Sequence, residues 1–166
     1  MDAPAKPTDL QPLVDALLSD AEAYRGLGEV ATYIPALAQV DPKKMGIAIA
    51  LGDGSIFAAG DADESFSIQS ISKVFTLGLA LGEVKAALWN HVGREPSGSP
   101  FNSIVQLEAE KGKPRNPLIN AGAIVVCDQL MGKTGADQAC EEILGFLRER
   151  AGDDSIEIDE NVAMSE

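Results

Sequence analysis

The segment Gln69-Ser70-Ile71-Ser72-Lys73 carries the clearest chemistry in this chain. On a helix, positions i and i+3 share one face, so the Ser70 hydroxyl and the Lys73 amine can meet there. A serine hydroxyl is a poor nucleophile near neutral pH and needs an adjacent base. A lysine desolvated in apolar surroundings can lose its proton and serve as that base, and Val74 and Phe75 follow Lys73 directly. A helix start also presents unpaired backbone N–H groups and a positive dipole end, which suit an oxyanion formed during acyl transfer. The Ser70 amide is the candidate donor. Taken alone, the S-x-x-K spacing also occurs on ordinary exposed helix starts, so its context decides its meaning.

Other chemistries have less support. The single histidine, His91, lies in LWNHVGREP with no acid placed beside it by pattern, which disfavours a Ser-His-Asp triad and suggests a structural role. Cys127 and Cys140 form no CxxC pair, so neither a structural zinc site nor a disulfide framework is expected, and both read as buried free thiols.

The elements that must position Ser70 and Lys73 follow from periodicity. Thr8 and Gln11 have capping-box spacing, and Leu10, Leu13, Val14, Leu17, Leu18 and Ala21 then recur at helical intervals, predicting an amphipathic helix that ends near Gly26 and Gly28. Met45 to Leu51 and Ser55 to Ala59 are short apolar runs around Gly52-Asp53-Gly54, a hairpin signal. Phe66, Ile68, Ile71, Val74, Phe75, Leu77, Gly78 and Leu81 predict a helix buried on several sides, with Ser70 in its first turn. Residues 96–117 read as a long irregular connection with a short charged segment over 108–113. Two further helices are predicted over 120–131 and 135–151, the second closed by Gly152. There is no internal repeat, and the final IEIDENVAMSE shows neither a closing strand nor a capping signal. The chain reads as cut rather than finished.

Composition bounds the partners. The 166 residues are 45% hydrophobic, enough for one real core. Thirteen basic against 26 acidic side chains give a net charge of -13, which repels nucleic acid and anionic lipid and fits a solvated acidic surface. The opening MDAPAKPTDLQP has no signal-peptide pattern, and no stretch reaches membrane-spanning length, so no membrane partner and a cytoplasmic location are expected.

Four separated segments supply the context: Tyr33-Ile34-Pro35, FSIQSISKVFTL around Ser70, GREPSGSPFNS from Gly93, and NPLINAGAI from Asn116. In order and spacing they resemble the motifs of serine-dependent glutaminases, over about residues 28–166. The resemblance implies an α/β (α+β) fold like that of β-lactamases and penicillin-binding proteins, here with the carboxy-terminal strands missing. On that basis residues 1–27 form an N-terminal helix and 28–166 an incomplete glutaminase domain. It also implies hydrolysis of L-glutamine to L-glutamate and ammonia through a serine acyl-enzyme, with no metal or organic cofactor.

Carried over by motif, Ser70 is the acylated serine, Lys73 its proton acceptor, and Asn120 a side chain that holds the substrate's polar groups. Tyr33 reaches the substrate, Gln69 shapes the glutamine pocket, and Glu166 binds the substrate, its carboxylate suited to an α-ammonium group. Family members continue beyond this glutamate with more pocket residues and sheet strands, so little activity is expected from the chain alone. A hairpin with unpaired edges also invites strand addition or self-association, and a homodimer or homotetramer is the expected assembly. Two rival readings are an S-x-x-K acyltransferase of β-lactamase or penicillin-binding type, which the absence of S-D-N and K-T-G disfavours, and a non-catalytic oligomerisation module.

Overall fold

The computed structural model describes residues 9–100, 102–103 and 105–165, which divide into two compact units, 1–67 with 159–166 and 68–158. The first unit opens with helix α1, Gln11–Ala21. Pro12 sits in its first turn, where the missing N–H costs nothing, and the Gln11 backbone N–H donates to Asp9 Oδ1 at 3.0 Å. Thr8 of the expected capping box lies outside the described residues, and the Gln11 side chain donates to Asp15 Oδ1 and to the Ala58 carbonyl, each at 2.8 Å.

The predicted hairpin is present as β1, Gly46–Ala50, and β2, Ile56–Gly60, antiparallel with Ile47 opposite Ala59 and Ile49 opposite Phe57. The turn closes through Gly54 N–H to Leu51 O at 3.0 Å and Ser55 N–H to Asp53 Oδ1 at 2.9 Å, with Gly54 at φ +89°. Leu51 and Ser55 form a hydrogen-bonded pair, so alternation along the ladder turns the Ala58 carbonyl away from β1. Gln11 of α1 occupies that edge acceptor. This unit buries Val14, Ile34 and Val162.

The sequence reading found no capping signal near the end of the chain, yet a last helix, α6 (Glu160–Ser165), forms there. Asp159 Oδ1 accepts from the N–H groups of Asn161 and Val162, both at 3.0 Å. Those are the donors that a helix start leaves unpaired.

In the second unit a 3-10 turn, Gln69–Ile71, runs directly into α2, Ser72–Glu83. After a second 3-10 stretch, Lys85–Asn90, come α3 (Val105–Ala109), α4 (Asn120–Thr134) and α5 (Ala136–Ala151). Helices α2, α4 and α5 pack against one another, enclosing Ala80, Leu88, Val92, Val126, Leu130 and Ala139. Gly135 at φ +87° breaks α4 from α5, and left-handed Gly152 closes α5 as predicted.

Two expectations are corrected here. Helix α2 is buried on one side only: Thr76 and Ala80 are covered, while Ile71, Val74 and Leu81 stay exposed, because α4 and α5 cover a single face. Cys127 and Cys140 are both free, but only Cys127 is partly buried. Cys140 follows buried Ala139 on α5 and so turns outward. Burial pushes the Cys127 thiol up, and the neighbouring Cys140 adds to that. Among the described residues no helix is long and apolar enough to cross a membrane.

Candidate active site

Ser70 lies exposed in the middle of the 3-10 turn that leads into α2. The turn is held by Ile71 N–H to Ile68 O at 2.9 Å and by the Ser72 hydroxyl donating to Gln69 O at 2.7 Å. One turn on, the Thr76 hydroxyl donates to Ser72 O at 3.0 Å. The residue before Ser70 is backbone-strained, with Gln69 at φ +45°. A side chain there costs on the order of 1–2 kcal/mol, and such strain persists only where the surroundings enforce it.

Lys73 is the second residue of α2, three positions after Ser70 on the same helical run. Its Nζ donates to Asn120 Oδ1 at 2.6 Å, a short hydrogen bond. Asn120 is the first residue of α4, so the packing of α2 on α4 joins residues 47 positions apart. Val74 beside Lys73 is 57% exposed and builds no closed apolar wall around the amine.

Of the residues singled out from sequence, Gln69, Ser70, Lys73 and Asn120 therefore fall in one unit, and Lys73 and Asn120 touch. Tyr33 belongs to the other unit, where the residue is 79% exposed next to buried Ile34. Glu166 lies outside the described residues. His91 ends the second 3-10 stretch, its backbone N–H donating to Leu88 O at 3.0 Å.

The irregular segment before α4 is tied at its neck. Gly93 N–H donates to Pro114 O at 2.7 Å and Glu95 N–H to Arg115 O at 3.0 Å. Beside this neck lies an open hollow of about 500 Å³, lined among others by Trp89, Arg94, Asn116 and Leu118, with the Arg94 guanidinium 4.3 Å from the centre of the Trp89 ring. The motif NPLINAGAI assigns no role to Asn116; its Asn-Pro dipeptide, which favours turn initiation, is the local sequence signal for this neck. Among the described residues no group of three or more His, Cys, Asp or Glu side chains could hold a metal ion.

Comparison with known proteins matches residues 28–166 to the family described as Glutaminase. A glutaminase of Methylobacterium sp. (strain 4-46) is 58% identical over 159 residues, covering 96% of this chain and 52% of the relative. A solved structure described as a probable glutaminase, ybaS, superposes with a TM-score of 0.87 at 38% identity, over 94% of this chain and 50% of that one. The structure of Mglu in its glutamate form gives 0.83 at 36% identity, over 99% of this chain and 36% of that one. The chain spans about half the length of the curated relatives it matches. The helix, hairpin and helical region expected of a β-lactamase-like glutaminase fold are the parts present.

Proposed function

The chain belongs to the glutaminase family, and from that premise we propose that it carries the acylating half of a site that hydrolyses L-glutamine to L-glutamate and ammonia. Lys73 takes the Ser70 hydroxyl proton as Oγ attacks the side-chain amide carbon of glutamine. The tetrahedral oxyanion collapses, the C–N bond breaks, and ammonia leaves with the proton returned from Lys73. Water then attacks the Ser70 ester, giving up a proton to the same amine; the bond from the acyl carbon to Oγ breaks, glutamate leaves, and Lys73 returns that proton to Ser70 Oγ. The Ser70 amide serves the oxyanion.

The observation that carries this reading is the 2.6 Å contact between Lys73 Nζ and Asn120 Oδ1, made by a lysine three residues after Ser70 on the same helical run. It holds the amine at a fixed place near the nucleophile and leaves the Asn120 amide nitrogen to donate to the substrate. Strained Gln69 sets the exit angle of Ser70 and shapes the pocket. Tyr33 and Glu166 complete recognition, Glu166 through the α-ammonium of the amino acid. The family match from residue 28 onward supports placing the glutaminase domain over 28–166, with 1–27 as a preceding helix. A cytoplasmic homo-oligomer fits the acidic composition and a hairpin of only two strands, and the chain alone is weakly active.

The test is ammonia release from L-glutamine by this chain, alone and mixed with the carboxy-terminal half of the Methylobacterium relative. Activity is expected in the mixture, and Ser70→Ala should abolish it by about 10³-fold or more. Turnover that survives Ser70→Ala, or a mixture inert towards glutamine, overturns the proposal.

A further inference from the structure

We infer that Asn116 is a positioning residue that sets the contact between Lys73 and Asn120, an inference that rests on the glutaminase reading above for its functional meaning. Helix α4 begins without a cap of its own. Its N-cap residue, Ile119, has extended backbone angles and a side chain that accepts nothing. Three residues upstream, Asn116 Oδ1 accepts from the N–H groups of Leu118 at 3.0 Å and Ile119 at 3.2 Å. The same side chain uses Nδ2 to donate to Glu95 O at 3.0 Å. One amide thus joins the neck of the preceding segment to the approach of α4.

The backbone of Asn116 is equally engaged. A Cβ on Gly122 would stand 1.8 Å from Asn116 O, so the first turn of α4 lies directly against that carbonyl. Pro114 and Pro117 on either side are buried. On the neck, a Cβ on Gly93 would stand 2.5 Å from Arg115 O, so the two segments meet closely there as well. Asn120 sits between the Asn116 hydrogen bonds and the Gly122 contact. Its side chain can place Oδ1 on Lys73 only if that first turn keeps its rotation.

The chemistry explains the residue type. The position needs an acceptor for two backbone N–H groups and a donor for one carbonyl at once, which asparagine supplies and aspartate does not. Asn116→Asp keeps the acceptor and turns a carboxylate towards the Glu95 carbonyl. Asn116→Ala removes both halves.

The experiment is NMR on the 166-residue chain itself, reading the through-space cross-peak between the Lys73 ε-methylene protons and the Asn120 side-chain amide. No turnover is needed, so a chain inert towards glutamine leaves this result intact. Asn116→Ala is expected to lose the cross-peak while contacts within the core cluster of Ala80, Leu88, Val92, Val126, Leu130 and Ala139 stay at full intensity. A purely structural role would weaken both sets together. A folded Asn116→Ala protein that keeps the Lys73–Asn120 cross-peak overturns the inference. If Asn116→Ala does not fold, Asn116→Asp decides: partial loss of the cross-peak supports positioning, and an unchanged one overturns it.

Discussion

The two units of this chain use the same kinds of residue to different effect. In 68–158, three helices surround a continuous set of buried side chains, Ala80, Leu88, Val92, Val126, Leu130 and Ala139. In 1–67 with 159–166, helices α1 and α6 and a two-stranded hairpin accompany a smaller set of buried residues, Val14, Ile34 and Val162, and Leu13, Leu17, Leu27 and Ile56 stay exposed. The unit with the larger buried cluster carries Ser70, Lys73 and Asn120, and a site needs supporting side chains locked by packing. The other offers a hairpin edge and the exposed Tyr33, groups suited to meeting something outside themselves.

The largest effect that would sharpen this contrast is a core truncation. Leu130→Ala, at a position 1% exposed, should cost about 2–5 kcal/mol in urea unfolding. Leu27→Ala, at a position 75% exposed, should stay within about 0.5 kcal/mol. Equal costs would mean that the unit with fewer buried residues is packed as firmly as its neighbour.

Next in size is the contact that makes the helical unit chemical. Asn120→Ala removes the partner of Lys73, and a hydrogen bond to a charged group is worth about 1.5–3 kcal/mol. Turnover of glutamine in the complemented assay should fall roughly ten- to a hundredfold. The urea midpoint should move far less than in Leu130→Ala. A large loss of stability with unchanged turnover would reduce Asn120 to a structural residue.

How much of this was legible depends on whether a feature is local. Gly52-Asp53-Gly54 between two apolar runs announces the hairpin, and Gly152 announces the end of α5, because both positions demand a backbone that few residues adopt. The Ser70–Lys73 spacing is legible for the same reason, as one turn of helix. The partner of Lys73 lies 47 residues away, and pattern alone does not fix which side of α2 meets α4. The same gap hid the exposed face of α2, since a helix apolar all round does not say which side will be covered. The cap of α6 was missed in IEIDENVAMSE, where the Asp159 carboxylate accepts from two N–H groups of the first turn, because an acid among other acids carries no distinct pattern. Gln69 gave no warning of its positive φ because glutamine has no preference for it.

That strain supports a smaller, sharper test. At φ +45° an alanine would be strained as glutamine is, and a glycine would not. Gln69→Gly should therefore be more stable than Gln69→Ala by about 1 kcal/mol in urea unfolding, the reverse of the order in ordinary helical positions. If the alanine variant is the more stable, the turn before Ser70 carries no strain and Gln69 acts through its side chain alone.

The smallest effect compares one device in both units. Asp53 Oδ1 accepts from Ser55 N–H at 2.9 Å in the hairpin turn, and Asp153 Oδ1 accepts from Ser155 N–H at 2.8 Å after α5. Hydrogen bonds from the Ser55 backbone and then its side chain hold the Asp53 carboxyl below the ordinary aspartate range. The Ser155 side chain and then its backbone do the same for Asp153. A depressed carboxyl stabilises the fold above the unfolded value of about 3.9, and that contribution fades as pH falls through the folded value. Asparagine keeps the acceptor oxygen and does not titrate. Asp53→Asn and Asp153→Asn should each flatten the acid side of the thermal-unfolding profile slightly and leave the neutral side in place. Matching shifts mean that the local turn, not the unit around it, sets the acid response. Flattening by Asp53→Asn alone would assign that response to the hairpin and separate the two units by pH as well as by packing.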